Sequence, residues 1–366
     1  MPETWRLLDC SSTNPKMNWA INEAIFRSRR EGLTQDTLRL WQSSKSVVLG
    51  GSASYERDAN PEVCRKYGVE IIRAASVSSE GLYQDLGSLN FTIAADVASF
   101  KNLIENYKPI LSEYQILNES VAKGLQKFGV DPKADPSGIY VDNGRISKAL
   151  PYWFEDLLLF QGTLYISTDL NVYEEVIGTK KDRLTTLTRE VGQNISMDEV
   201  KKALVQGVEE RFGVRFEAHG MLEDEQKLIE KLHRVKYSFS EWNVKAHEPF
   251  LIGMGKIPVE VYVANPPTSM CRKLIDLVSD AVSDLQDEIK VMIWVRGRGK
   301  FQHGPYPEMT LALVRADKES KVPVIIINGQ VKFSKAIPSK EDLKKALLAS
   351  IQTPYKNAAE EADESI

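Results

Sequence analysis

The chain has 366 residues, 47 Lys+Arg against 51 Asp+Glu, a net charge of −4, 42% hydrophobic and 27% charged residues. That balance belongs to an ordinary folded protein with room for two or three domains, and it gives no long-range attraction for nucleic acid or an anionic membrane. No run approaches the roughly 20 apolar residues that span a bilayer. The start, Met1 to Arg6, lacks a basic region followed by an apolar one, so no secretory signal is expected. Cys10, Cys64 and Cys271 are too scattered for a disulfide framework or a clustered metal site. These features predict a cytoplasmic protein without a resident metal.

In chain order, Ser11-Ser12-Thr13-Asn14-Pro15 is a helix start signal, and Trp19–Phe26 places apolar residues at helical spacing. Thr37–Trp41 and Ser46–Gly51 read as strands around a polar turn, and Val69–Arg73 as another short strand. Asn90–Ala95, Ile139–Val141 before an Asn143-Gly144 turn, and Leu157–Ile166 continue the strand series, with long helices over Phe100–Phe128. The pattern predicts an α+β domain over residues 1–190 with a largely antiparallel sheet.

From 191 to 247 the pattern turns helical. Ser196-Met197-Asp198-Glu199 is a capping box opening Val200–Phe212, and Leu222–Tyr237 is a second amphipathic helix with an acidic first turn. A third unit, 256–353, reads strand (Val259–Val263), helix after Pro266-Pro267, strand (Ile289–Val295), a poorly marked helix, strand (Val322–Gly329), strand (Gln330–Ser334) and helix (Ser339–Ile351). Residues 354–366 form an acidic tail.

The run Tyr83-Gln84-Asp85-Leu86-Gly87-Ser88-Leu89-Asn90-Phe91-Thr92 resembles the YHDxGNLNxS signature of lipoate–protein ligases in the biotin/lipoate ligase superfamily. Trp5–Leu8, Ser46–Gly50, Asn143–Ser147, Gly162–Leu164 followed by Asp169-Leu170, and the closing Glu241-Trp242-Asn243 resemble further landmarks of that family, in order. The resemblance implies a biotin/lipoate-ligase-like mixed sheet domain followed by a small helical accessory domain. It implies an activity that joins lipoate to ATP (with Mg), holds lipoyl-AMP, and passes the lipoyl (or octanoyl) group to a lysine of a lipoyl carrier-domain protein.

Such chemistry needs backbone N–H groups close to a phosphate, and a fixed cation at the carboxyl–phosphate junction. Here both are altered. The family's RRxSGGG stands as Arg73-Ala74-Ala75-Ser76-Val77-Ser78-Ser79-Glu80-Gly81. Its GxKISGSA stands as Gly144-Arg145-Ile146-Ser147-Lys148-Ala149, so arginine takes the lysine position and a lysine the following glycine. Along a regular strand Lys148 faces away from Arg145, and only a bend or bulge brings them together. The family's His-Gly-Thr stands as Gln161-Gly162-Thr163, and Lys180-Lys181 lies where the family has a lysine-rich segment.

The resemblance thus implies catalytic roles for Lys148 and Arg145. It implies substrate-binding roles for Arg73, Ser78, Ser79, Tyr83, Asp85, Asn90, Gly162 and Thr163. Each has a plainer alternative: a polar loop at Ser76–Gly81, a solvent-facing Lys148, a capped hairpin at Asp85 and Asn90. Three functions stay open: a lipoate ligase or lipoyl/octanoyl transferase, a binding protein that has lost the activation step, or a chain completed by a companion subunit.

The third unit resembles thioredoxin-fold domains in its strand order and in Val322-Pro323. Where that fold carries its dithiol this chain has Thr268-Ser269-Met270-Cys271, without the first, activated cysteine. Partner docking is expected there rather than redox chemistry. Cys271 is either a small buried residue or a thiol for a partner's sulfur.

Overall fold

The structure is a computed structural model. It describes residues 3–51, 53–76, 78, 81–104, 111–154, 156–177, 183–244, 257–264, 266–286, 288–295, 323–327, 330–334 and 336–351. The chain divides into two compact units, Met1–His233 and Arg234–Ile366.

In the first unit the strands are β1 (Thr4–Asp9), β2 (Thr37–Trp41), β3 (Ser46–Leu49), β4 (Glu70–Arg73), β5 (Gly81–Gln84), β6 (Ser88–Asp96), β7 (Lys133–Asp135), β8 (Gly138–Val141), β9 (Gly144–Phe154), β10 (Leu157–Tyr165) and β11 (Arg215–Ala218). Among the described residues, eight of them form one sheet in the order β11-β1-β2-β6-β10-β9-β8-β7, and β4-β3-β5 form a second. Pairing in the large sheet is antiparallel except at β1, which runs parallel to both neighbours.

Helix α1 (Pro15–Arg30) starts where Asn14 accepts from the Lys16 and Met17 amides. It covers one face of the large sheet, where Phe26 meets Tyr152 of β9 edge to face at 5.4 Å. Helix α2 (Leu111–Leu125) covers the other, with Tyr114 against Trp153 of β9 and Phe160 of β10. The helices expected over 100–128 are therefore a short turn at Ala98–Lys101, then α2, with residues 105–110 outside the described set. Asp142 and Asn143 both take positive φ (46° and 66°), the backbone a two-residue hairpin turn demands between β8 and β9.

Helix α3 (Met197–Phe212) opens on the Ser196–Glu199 capping box read from the sequence. The segment from 191, read as an accessory domain, is joined to the large sheet. Its strand β11 pairs with β1, and its helix α4 (Glu223–Leu232) carries Glu225, which accepts from both terminal nitrogens of Arg6 on β1 at 2.9 and 2.7 Å. No helix among the described residues is long and apolar enough to cross a membrane.

In the second unit β12 (Ile257–Val263), α5 (Ser269–Ala281) and β13 (Ile289–Val295) make a strand–helix–strand crossover with parallel strands. Strands β14 (Val324–Ile327) and β15 (Gln330–Ser334) follow antiparallel, giving the order β13-β12-β14-β15, and α6 (Lys340–Ile351) closes the core. The helix expected after Ile293 and the Val322 side of Val322-Pro323 lie outside the described residues. Cys271 is buried in this core, its amide donating to the Thr268 hydroxyl that caps α5.

Candidate functional site

Register places Trp41, Asn90, Thr163 and Lys148 directly opposite one another across β2, β6, β10 and β9. Opposite residues of antiparallel strands share a face, so Lys148 stands in one row with Asn90 and Thr163. The next row is Arg39, Thr92, Gln161 and Leu150. This is the face that α1 covers, since Tyr152 continues the alternation from Lys148 and Leu150.

Along β9 a register shift interrupts the pairing: Ile139 lies opposite Ser147 but Tyr140 opposite Arg145, so β9 carries one extra residue, a bulge at Ile146. The regular strand that sets Lys148 and Arg145 on opposite faces is thus broken between them. Lys148 is half-buried. Arg145 is buried, its Nε donating to the Ser147 carbonyl at 3.1 Å and its Nη2 to the Ser137 carbonyl, with the guanidinium 5.8 Å from the Tyr140 ring. Its backbone also pairs with Arg183 and Thr185. These contacts hold the β8–β9 hairpin together.

The loop that touches Gln161 of β10 and Pro151 of β9 begins at Arg73. That guanidinium, buried and pushed down to about 10 by desolvation but still charged at neutral pH, donates to the carbonyls of Gly50, Gly51 and Ala53 at 2.8, 3.2 and 2.8 Å. It therefore clamps the loop after β3. A Cβ on Gly50 would lie 2.2 Å from the Ser78 carbonyl oxygen, and one on Gly51 2.1 Å from that of Ser76, so glycine is required for the two loops to touch. The Ser76 hydroxyl donates to the Pro151 carbonyl of β9 at 2.9 Å and accepts from the Ser78 amide at 3.1 Å. Ser78 is buried; Val77, Ser79, Glu80 and Lys180-Lys181 lie outside the described residues.

The remaining expected residues fall into two groups. Asn90 and Thr163 meet: the Asn90 Oδ1 accepts from Thr163 Oγ1 and from Gln84 Nε2, both at 2.8 Å, and Gln84 reaches Thr163 at 2.9 Å. Gln84 Oε1 and Asn90 Nδ2 are buried without a hydrogen-bond partner, an acceptor and a donor left unspent in a site. Gln84 was not singled out as a site residue, although it occupies the histidine position of the signature. Asn22 and Arg39 were missed too; the signal was a buried-face asparagine on α1 and an inward arginine in an otherwise apolar strand.

Tyr83, Asp85 and Gly162 point elsewhere. Tyr83 lies in the core behind β3, edge to face with Tyr173 at 6.0 Å, its hydroxyl without a partner and its ionisation suppressed by burial. Asp85 turns the chain from β5 into β6, accepting from the Gly87 amide at 3.0 Å and from the Asp169 amide at 2.9 Å; burial raises its pKa. Gly162 faces α2, where a Cβ would come within 2.0 Å of the Phe91 ring. Gly162→Ala is expected to destabilise the protein by about 1–3 kcal/mol through overpacking, read as a lowered denaturant midpoint, with no selective loss of ligand binding. Among the described residues no group of three or more His, Cys, Asp or Glu is placed to hold a metal.

An α+β fold built on a large mixed sheet of this kind is that of a biotin/lipoate-ligase-type protein. Residues 14–209 match the lipoyl protein ligase A/B catalytic domain, and the chain belongs to that family. It is similar to lipoate-protein ligase A subunit 1 of Thermoplasma acidophilum, 27% identical over 252 residues, 63% of this chain and 92% of the relative. It is also similar to the octanoyltransferase LipM of Anoxybacillus flavithermus, 21% identical over 280 residues, 66% of this chain and 99% of the relative. A solved lipoate-protein ligase A bound with ATP superposes with a TM-score of 0.58 at 26% identity, covering 67% of this chain and 100% of that one.

Proposed function

We propose that this chain transfers a lipoyl or octanoyl group to the lysine of a lipoyl carrier-domain protein, using lipoate and ATP with Mg through a lipoyl-AMP intermediate. The observation that carries this reading is the row Asn90–Thr163–Lys148, in which a half-buried lysine stands opposite Thr163 and one strand further from a buried, incompletely paired Asn90. Lys148 holds the negative charge that develops at the carboxyl–phosphate junction, taking over from the family's lysine three positions earlier. Gln84, Asn90 and Thr163 supply neutral donors and acceptors to the bound acyl-adenylate, and the Ser76–Ser78 loop closes over it. Incubation with lipoate, ATP, Mg and a lipoyl carrier domain should add one lipoyl group per acceptor lysine.

The strand order β13-β12-β14-β15 supports reading the second unit as a thioredoxin-like docking domain for the carrier. A companion chain is a further partner, since the similar Thermoplasma acidophilum protein is itself a subunit. The protein works in the cytoplasm.

A second reading, binding without turnover, is favoured by the commitment of Arg145 to backbone carbonyls. Thermal-shift titration separates the two: stabilisation by lipoate alone, with no acyl transfer, supports the binding protein.

A further inference from the structure

The loop over the proposed site is held from behind by a buried side-chain relay that starts at a cation. Arg39 is fully buried, and its described hydrogen bonds all end on uncharged groups: the Cys10 carbonyl and Sγ, the Asn18 carbonyl and Oδ1, and Asn22 Oδ1 at 2.6 Å. Burial pushes it down to about 10, so it stays protonated at neutral pH. Asn22 Nδ2 passes the polarisation on, donating to Gln161 Oε1 at 3.2 Å. Gln161 Nε2 spends its hydrogens on the Ala75 carbonyl of the loop at 3.1 Å and the Leu150 carbonyl of β9 at 3.2 Å. One amide thus ties the loop, strand β9 and helix α1 together, two residues along β9 from Lys148.

We infer that Gln161 is a positioning residue that, through the chain Arg39–Asn22–Gln161, sets the gap between the Ala75–Ser78 loop and β9 and so fixes where the anionic part of the substrate meets Lys148. This rests on the acyl-transfer reading of the site. Each donor in the chain is strengthened by the one before it, because a charged group at one end polarises hydrogen bonds in a low-dielectric interior. Ser76, donating to Pro151, is the second tie between the same loop and the same strand. Neither tie titrates near neutral pH, so the gap in the wild-type protein is independent of pH there.

The test uses the full chain with Gln161→Leu and Gln161→His, both checked for an unchanged melting profile. In steady-state lipoyl transfer to a carrier domain, Gln161→Leu should raise KM for ATP by about tenfold, the loss of roughly one to two neutral hydrogen bonds, with kcat little changed. A neutral histidine accepts from Asn22 with one ring nitrogen and donates with the other, but an imidazolium cannot accept. Gln161→His should therefore approach the wild-type KM while its imidazole is neutral. It should lose that KM, relative to the wild type at the same pH, once the imidazole is protonated, a step that burial pushes below the usual histidine range.

Hydrogen exchange of the Ala74, Ser78 and Gly51 amides should rise in Gln161→Leu whether or not the protein turns over. If these amides stay as protected as in the wild type, or if KM for ATP is unmoved, the positioning role is wrong. If the wild type transfers nothing yet the amides lose protection, the relay stands and only the acyl-transfer reading fails.

Discussion

Replacing Lys148 with alanine is expected to lower lipoyl transfer by about 10²- to 10³-fold in kcat, the usual effect of removing one preorganised electrostatic stabiliser. Lys148 lies opposite Thr163, whose hydroxyl bonds Asn90, and all three share the face that α1 covers. KM for the carrier domain should move little, because the charge is needed chiefly where negative charge develops. The contrast is Arg145→Met. Its guanidinium is bonded to the carbonyls of Ser137 and Ser147, so this change should appear first as lost stability of the β8–β9 hairpin. Wild-type transfer by Lys148→Ala, or a selective loss of kcat in Arg145→Met at unchanged stability, would reverse the assignment of the two cations.

The second large effect concerns the tie between the ends of the first unit. Arg6 and Glu225 form a buried two-point pair, with Arg6 Nε also donating to Thr37 at 3.0 Å and Glu225 Oε2 accepting the Leu222 amide at 2.9 Å. Glu225→Ala strands a guanidinium in the interior and should cost about 3–5 kcal/mol, because a buried charge without its partner is far worse than no pair at all. For a unit of this size that corresponds to a fall in melting temperature of roughly 6–20 °C. Replacing both residues, Arg6→Met with Glu225→Leu, should recover much of the loss. A melting temperature unchanged by Glu225→Ala would show that the pair contributes nothing to joining α4 to β1.

Much of the first unit was legible because its signals are local. The strands β6 and β10 and the Ser196–Glu199 box are each written in consecutive residues, whereas the turn expected at Asn143-Gly144 falls one residue earlier, at Asp142-Asn143. Strand β11 was not: Arg215–Ala218 is short and largely exposed, and becomes a strand by pairing with β1 at the other end of the unit. The Arg6–Glu225 pair is likewise invisible, since its partners are 219 positions apart.

For the site, the family resemblance pointed to Asn90, Thr163 and Lys148 together with Tyr83, Asp85 and Gly162. The last three serve a second core, the turn that links the two sheets, and a packing contact. The bulge at Ile146 could not be read, because a single extra residue in β9 leaves no mark until β8 is laid beside it. The chain from Arg39 to Gln161 escaped for the same reason: one polar residue on each of three elements carries no signal until they meet.

The most direct test of the acyl-transfer reading is the intact mass of a lipoyl carrier domain after incubation with this chain, lipoate, ATP and Mg. Addition of one lipoyl group, abolished by Lys148→Ala, is the predicted result. No mass gain with lipoate and ATP, with preformed lipoyl-AMP, or after adding a companion chain from the same cell would contradict it.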